Sequence, residues 1–321
     1  MSKIQSSGKE CSPPGLPSAA LVIGCGYLGR YVADQLQSRG VTVAAIVRSD
    51  DHARSLVAEG LNAVAVDVSK PDAAGRALEL LNIKTRVDVY YLIPPGMSRQ
   101  RTDGDASTVL SALNHVISSL SALSSERIGR VIVASSTGVY CQSEGECVEA
   151  DTNPTPEGAA VSARSQLLLD IETAWLSSSL DSRVVRLAGL YGAGRIVGQA
   201  VREGKPIGGD PDAWLNLIHV EDAADLMIAV AKSANAHRIE LGSDGSPVRR
   251  LTYYQHVAKC LGAPDVKVSA SDGDGDADLS RGKVIRRGAS SKRCDNTLTC
   301  QRVGWQPRYG SYVLGLAACG I

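Results

Sequence analysis

Apolar runs and amphipathic stretches alternate along the first half of the chain. AALVIGCG begins with a short apolar run that stops at glycines. YLGRYVADQLQSRG follows, with Leu28, Val32 and Leu36 at helical spacing and Gly40 as a stop signal. VTVAAIVR is apolar throughout, the pattern of a strand buried on both faces. The pattern then predicts a helix over 51–59, a third strand in NAVAVDV, a helix over 72–81 and a fourth strand in VDVYYLIPP. A long helix over 106–123 and a fifth strand in RVIVASSTGVY complete this half. Such alternation predicts an α/β fold with a doubly wound parallel sheet.

After Tyr140 the order loosens. CQSEGECVEADTNPTPEG reads as a polar loop, 159–177 as a helix, and RVVRLAGLYG as a sixth strand with its exit loop. A helix over 197–203 leads to a loop, a short strand and a helix in GKPIGGDPDAWLNLIHVEDAADLMIAVAK, and RIELGSD reads as one more strand. SASDGDGDADLSRGKVIRRGASSKR is Gly/Asp/Ser-rich, then basic, and reads as a surface loop. No internal repeat is visible.

Composition narrows the class. The chain has 321 residues, 44% hydrophobic and 21% charged, as in an ordinary soluble globular protein. Lys+Arg and Asp+Glu are equal at 34 each, so there is no basic excess to attract nucleic acid or an anionic membrane. No apolar run reaches the roughly 20 residues that span a bilayer. Phenylalanine is absent, so the core must rest on Leu, Val, Ile and Ala with some Tyr. MSKIQSSGKECSPPGLPS is polar and lacks a signal-peptide pattern, so residues 1–18 read as a disordered tail. The eight cysteines are scattered without metal-ligand spacing. They read as free thiols in a reducing cytoplasm, with no metal site.

Gly24-Cys25-Gly26-Tyr27-Leu28-Gly29 is a G-x-G-x-x-G placed after an apolar strand and at the start of an amphipathic helix, which is the setting of a dinucleotide site. Gly24 permits the tight turn, Gly26 lets the backbone approach a pyrophosphate, and Gly29 lets helix and strand pack closely. The phosphates then lie on free helix N–H groups and the positive end of the dipole. Arg48 stands at the end of the second strand, where an acidic residue would bind the ribose hydroxyls of NAD. A guanidinium favours a 2′-phosphate, so the expected cofactor is NADP, with NAD as the alternative. Asp67 ends the third strand and can meet the adenine edge or cap the following turn. Pro94, with Pro95 and Gly96, shapes the nicotinamide pocket through backbone alone.

GCGYLG, SSTGVY, RLAGLYGAGR and NLIHVEDAADLM, in that order, resemble the extended short-chain dehydrogenases/reductases, the NAD-dependent epimerase/dehydratase group. The resemblance runs from about residue 20 to the C-terminus. It implies a Rossmann-type domain over 19–185, and remaining sheet elements with a smaller C-terminal substrate lobe over 186–321. In that family a Ser or Thr ends the fifth strand and a Tyr-x-x-x-Lys lies on the next long helix; the lysine lowers the tyrosine's pKa and the tyrosine exchanges a proton with the substrate. Ser136 matches the Ser/Thr position. SARSQLLLD fits the helix in register, with Ser162 on the tyrosine and Gln166 on the lysine. The pair is missing, as in an atypical subgroup of the family. Tyr140, Tyr191, Arg164 and the Ser135–Ser136–Thr137 hydroxyls are the candidate substitutes.

Arg195, Asn216, His219 and Asp222 match positions that line or brace the substrate cleft in relatives. Arg195 can pair with a phosphate or carboxylate, whereas His219 and Asp222 can order a loop and a helix start. The resemblance therefore implies an oxidoreductase or epimerase-like enzyme on a small polar or nucleotide-sugar-like metabolite. The missing pair leaves open a catalytically inactive redox sensor or partner-binding protein. A homodimer through two long helices per subunit is expected by analogy.

Overall fold

In the computed structural model, which describes residues 17–95, 106–123, 126–206, 210–268 and 291–321, the apolar runs become the strands of one sheet. Its members are β1 (Ala19–Ile23), β2 (Thr42–Val47), β3 (Asn62–Ala65), β4 (Val87–Tyr91), β5 (Ile128–Ser136), β7 (Asp181–Leu187) and β11 (Ile239–Gly242). They pair in parallel in the order β11-β7-β5-β4-β1-β2-β3. The order reverses between β1 and β4, which opens a crevice beyond their carboxyl ends.

Burial on both faces explains the unbroken apolar runs. On β1, Ala20 and Val22 enter one core, and Ala19, Leu21 and Ile23 enter the other. The first core takes Val32, Ala33 and Leu36 from α1 (Tyr27–Ser38), Ala53 and Leu56 from α2 (Asp50–Ala58), and the apolar face of α7 (Val220–Lys232). The second takes residues of α3 (Ala73–Leu80), α4 (Ala106–Ser121) and α5 (Ala163–Leu176). With no phenylalanine to use, the large buried rings here are Tyr90, Tyr91, Trp175 and Trp305. The α/β Rossmann-type expectation is met.

A third, smaller core lies in the second half. It joins Tyr191 of β8 (Gly189–Tyr191), Leu215 of β9 (Trp214–Leu215), Leu217 of β10 (Leu217–His219) and Val248 of β12 (Val248–Arg249). Helices α6 (Gly198–Arg202), α8 (Arg250–Cys260) and α10 (Tyr312–Ala318) close it. α9 (Thr297–Val303) packs beside α7 and β11. No described helix is long and apolar enough to cross a membrane.

Three local expectations are corrected. The polar loop after Tyr140 contains a strand, β6 (Cys147–Val148), which pairs in parallel with β13 (Arg293–Cys294). RVVRLAGLYG is two strands rather than one: Ala188 N–H goes to the Gly242 carbonyl, then Gly189 N–H goes to the Asn216 carbonyl, so β8 leaves the main sheet to join β10. The helix expected from 159 begins at Ala163, because Ser162 is extended (φ −69°, ψ 152°) and caps it. Residues 1–16 of the expected tail, Gly96, and most of the Gly/Asp/Ser-rich and basic loop lie outside the described residues.

Candidate functional site

The glycine motif sits at the switch point, and its three glycines are bare for different reasons. Gly24 has φ +91°, and a Cβ there would fall 2.9 Å from Ile93 Cγ1 at the exit of β4. A Cβ on Gly29 would fall 2.8 Å from the Gly24 carbonyl oxygen. Gly26 has φ −89°, and a Cβ there would meet nothing within 4 Å. Neither backbone strain nor internal packing explains its bareness. It borders open space over the start of α1, where no side chain caps the helix and no acidic residue occupies the first turn. Among the described residues no side chain takes up the N–H groups of the first turn, as an anion site requires. Leu28 is buried in the core beneath.

Tyr27 joins this turn to the second half of the chain. Its hydroxyl donates to the Ala193 carbonyl (3.1 Å), and the Arg195 guanidinium lies 5.3 Å from its ring centroid. Burial pushes the Tyr27 phenol up to about 12. Gly192 has φ +149° and a Cβ there would fall 2.7 Å from Val220 Cγ1, so the YGAGR loop is pressed onto α1 and α7. Arg195 is itself exposed.

On the other side of the turn, Arg48 is exposed just past β2 and has no ion pair among the described residues. Asp67 Oδ1 accepts from Ser69 N–H (3.0 Å) and Ser69 Oγ–H (2.6 Å), which holds its carboxyl below the usual range. Of its two readings the turn cap is therefore realised, and Oδ2 is left over. Pro94 is exposed at the exit of β4.

The end of β5 holds the hydroxyls. Ser136 is half-buried; its Oγ accepts from Gly138 N–H (3.1 Å), and its own proton has no acceptor among the described residues. Ser135 instead donates to Glu172, which is locked to Arg186 by a buried pair with a closest contact of 2.7 Å. Thr137 is buried beside the thiol of Cys294. Tyr140 is buried, donates to the Glu149 carbonyl (2.8 Å), and lies under the Arg186 guanidinium at 4.9 Å. Burial pushes its phenol up to about 12 against the pull of Arg186.

The two positions that stand in for the missing pair are occupied with local work. Ser162 Oγ accepts from Ser165 N–H (3.1 Å) and touches Ser165 Oγ (2.8 Å), whose proton goes to the Gly138 carbonyl (2.9 Å). This chain of hydroxyls ties the start of α5 to the turn after Ser136. Gln166 donates to Asp170 (2.8 Å) one turn along the exposed face, and Arg164 is exposed.

On the opposite wall, Asn216 clamps the strand that enters at Ser291. Its Nδ2 donates to the Lys292 carbonyl (2.9 Å) and its Oδ1 accepts from Cys294 N–H (2.7 Å). Lys292 then donates from Nζ to the Tyr140 carbonyl (3.0 Å). His219 caps α7, with Nδ1 accepting from Glu221 N–H (3.3 Å), so its proton sits on Nε2, which faces Cys319 Sγ at 3.5 Å. Burial holds its pKa down. Asp222 accepts from Arg308 N–H and Tyr309 N–H, both at 2.9 Å, which pins the C-terminal segment to α7. Tyr191 is buried between His219 and the C-terminal helix, its hydroxyl 3.4 Å from the Ser311 carbonyl.

The geometry ties Lys292 to the Tyr140 carbonyl, and Asn216 to the strand that carries Lys292. It leaves Gln166 and Arg164 on the surface of α5. Sequence reasoning missed Lys292, which is 152 residues from its partner Tyr140 and belongs to no local motif. Among the described residues no three His, Cys, Asp or Glu side chains converge to hold a metal ion.

A family model described as the NAD-dependent epimerase/dehydratase family matches residues 20–260. No curated protein matches this sequence. Many solved structures share the fold. A functionally unknown conserved protein from Silicibacter pomeroyi is 24% identical with a TM-score of 0.74, over 94% of this chain and 98% of that one. UDP-glucose 4-epimerase from Thermotoga maritima, solved with UDP-glucose, is 17% identical with a TM-score of 0.72, over 94% and 97%. The Thermus thermophilus UDP-glucose 4-epimerase, solved with NAD, is 18% identical with a TM-score of 0.72, over the same shares.

Proposed function

The chain belongs to the NAD-dependent epimerase/dehydratase family, and from that premise we propose that it is an enzyme that binds a nicotinamide dinucleotide and acts on the carbonyl or hydroxyl carbon of a small polar metabolite. One observation carries the reading: Gly26 is bare toward open space at a helix start whose N–H groups are unclaimed. The residues present fit the dinucleotide. The first turn of α1 would hold the pyrophosphate, Arg48 and Asp67 would face the adenosine half, and the exit of β4 at Pro94 would border the nicotinamide half. When bound, the cofactor supplies a hydride donor or acceptor.

The chain's own part is to hold the substrate and move its proton. Ser136 is the hydroxyl best placed for this, since it accepts from Gly138 and retains its proton. Tyr140 is committed to Glu149 and sealed from the crevice. The lobe built around Tyr191, Leu217 and Tyr254 would cover the substrate, with Arg195 and Asn216 on its inner rim. UDP-glucose 4-epimerases of the same fold support a nucleotide-sugar-like substrate as the first class to try. A homodimer formed by two long helices per subunit belongs to the same proposal, with α4 and α5 as the face for a second copy.

The test is a fluorescence titration with NADH and NADPH, followed by oxidation of the bound cofactor against carbonyl substrates. Binding, then turnover that falls tenfold or more in Ser136→Ala with an unchanged Kd, is the expected result. Failure to bind either dinucleotide would sink the reading. Binding without turnover on any substrate would favour the second reading, a redox sensor or partner-binding protein. Ser162 serving as a helix cap and Gln166 as a surface partner of Asp170 favour that second reading.

Arg48 carries the cofactor preference. A charge-assisted pair with a 2′-phosphate contributes about 1.5–3 kcal/mol. Arg48→Ala is therefore expected to weaken NADPH at least tenfold and NADH less than threefold in the same titration. Equal losses would mean that Arg48 does not read the 2′ position.

A further inference from the structure

A buried lysine that no motif announced lies behind the turn that follows Ser136. Lys292 is 2% exposed, and its Nζ has the Tyr140 carbonyl as its one hydrogen-bond acceptor among the described residues. No carboxylate lies within ion-pair distance of it among those residues. The titratable groups that face it are the thiols of Cys141 and Cys294. Buried ammonium groups are costly unless a negative partner offsets them. A neutral donor would hold the Tyr140 carbonyl at a lower cost, so the hydrogen bond alone does not account for a lysine here.

We infer that Lys292 is the cation of this active site: a positioning residue, fixed on the Tyr140 carbonyl, whose positive charge acts on Ser136 and on a substrate oxygen held beside it. The inference rests on the enzyme reading above, and it deepens it. The other cations nearby are spent. Arg186 is neutralised by a bidentate pair with Glu172, Arg164 is exposed on α5, and Arg195 is exposed over Tyr27. Lys292 is fixed in place on two sides. Asn216 holds its backbone from the β10 side, and the β6–β13 pair holds the next residues. Its anchor, Tyr140, is joined to Ser136 by one 3-10 turn, Thr137–Val139. A charge held one short turn of chain away in a partly buried site moves the acidity of a neighbouring group by about one pH unit. Burial lowers the pKa of Lys292 from the usual lysine value, against the pull of the Cys294 and Cys141 thiols.

The test needs neither cofactor nor substrate, so its outcome is separate from that of the dinucleotide titration. Ser136→Cys places a titratable reporter at the site, and its thiolate fraction is read by pH-dependent alkylation resolved by peptide mass spectrometry. With Lys292 intact, the introduced thiol is expected to titrate below the ordinary value of about 8.5. Adding Lys292→Met, or Lys292→Gln, which keeps a donor for the Tyr140 carbonyl, is expected to raise the midpoint by about one pH unit. Lys292→Arg is expected to restore it. A midpoint at or above about 8.5 with Lys292 present would overturn the inference. So would a midpoint unmoved in a folded Met or Gln variant, or one that rises equally in the Arg variant, which would reduce Lys292 to a packing role.

Discussion

Gly26→Val is expected to fold and melt like the parent protein and to lose dinucleotide binding by a factor of at least a hundred, about 3 kcal/mol. The two halves of this expectation have separate causes. A Cβ at Gly26 meets no protein atom within 4 Å and φ is −89°, so a side chain there costs little in the free protein. The same side chain would stand over the first turn of α1, between the open space and its free N–H groups. Two or three charge-assisted hydrogen bonds to phosphate would be lost, each contributing about 1.5–3 kcal/mol. Gly24 makes the control. It has φ +91° and Ile93 at 2.9 Å from a Cβ, so Gly24→Val should lower the melting temperature as well as the affinity. Equal affinity for NADH and NADPH in Gly26→Val and the parent would place the nucleotide elsewhere.

The contrast between these glycines also shows what the sequence could and could not say. G-x-G-x-x-G after an apolar strand was legible as a motif, because both the strand and the turn are local. The parallel sheet was legible for the same reason: strands buried on both faces, such as TVAAIV, read as continuous apolar runs. That α5 carries neither a tyrosine nor a lysine was legible directly. What Ser162 does there was not, because an alanine pair at 159–160 reads as helix and the cap only becomes visible once Ser162 is seen extended with Ser165 N–H on its oxygen. β6 and β13 were hidden because two-residue strands have no period to read, and their pairing joins residues 147–148 to 293–294. Lys292 was hidden with them. Its place against the Tyr140 carbonyl is set by that distant pairing and by Asn216, and neither leaves a mark near SKRC in the sequence.

Asp244 gives the other large effect, in stability rather than binding. It follows β11 and is 3% exposed. Its backbone N–H goes to the Leu217 carbonyl (2.7 Å), Oδ1 accepts from Ser246 N–H (2.9 Å), and Oδ2 has no partner among the described residues. Burial pushes its carboxyl from 3.8 up to about 7, with the charge of Asp222 adding to the rise. Between those two values the folded protein keeps a proton that the unfolded chain has released. Stability from this group is therefore full below pH 3.8 and is lost as the pH rises, at about 1.4 kcal/mol per pH unit, until the folded-state value near 7 is passed. The whole change is about 4 kcal/mol. Asp244→Asn keeps the acceptor for Ser246 and removes the ionisation. Urea unfolding of the two proteins from pH 4 to pH 8 is expected to show a stability difference in favour of the variant that opens with pH and levels off above 7. Since Asp222 and Glu240 titrate in both proteins, the difference between them isolates Asp244. A constant difference, or one that opens toward acid, would mean that Asp244 is ionised in the folded state. The residue joins the end of β11 to β10, the strand that leads into His219. With its folded-state value near 7, it is mostly neutral below that pH and lets the junction pack without a counter-ion, and the gain in stability on going to asparagine at higher pH measures the cost of keeping an acid there.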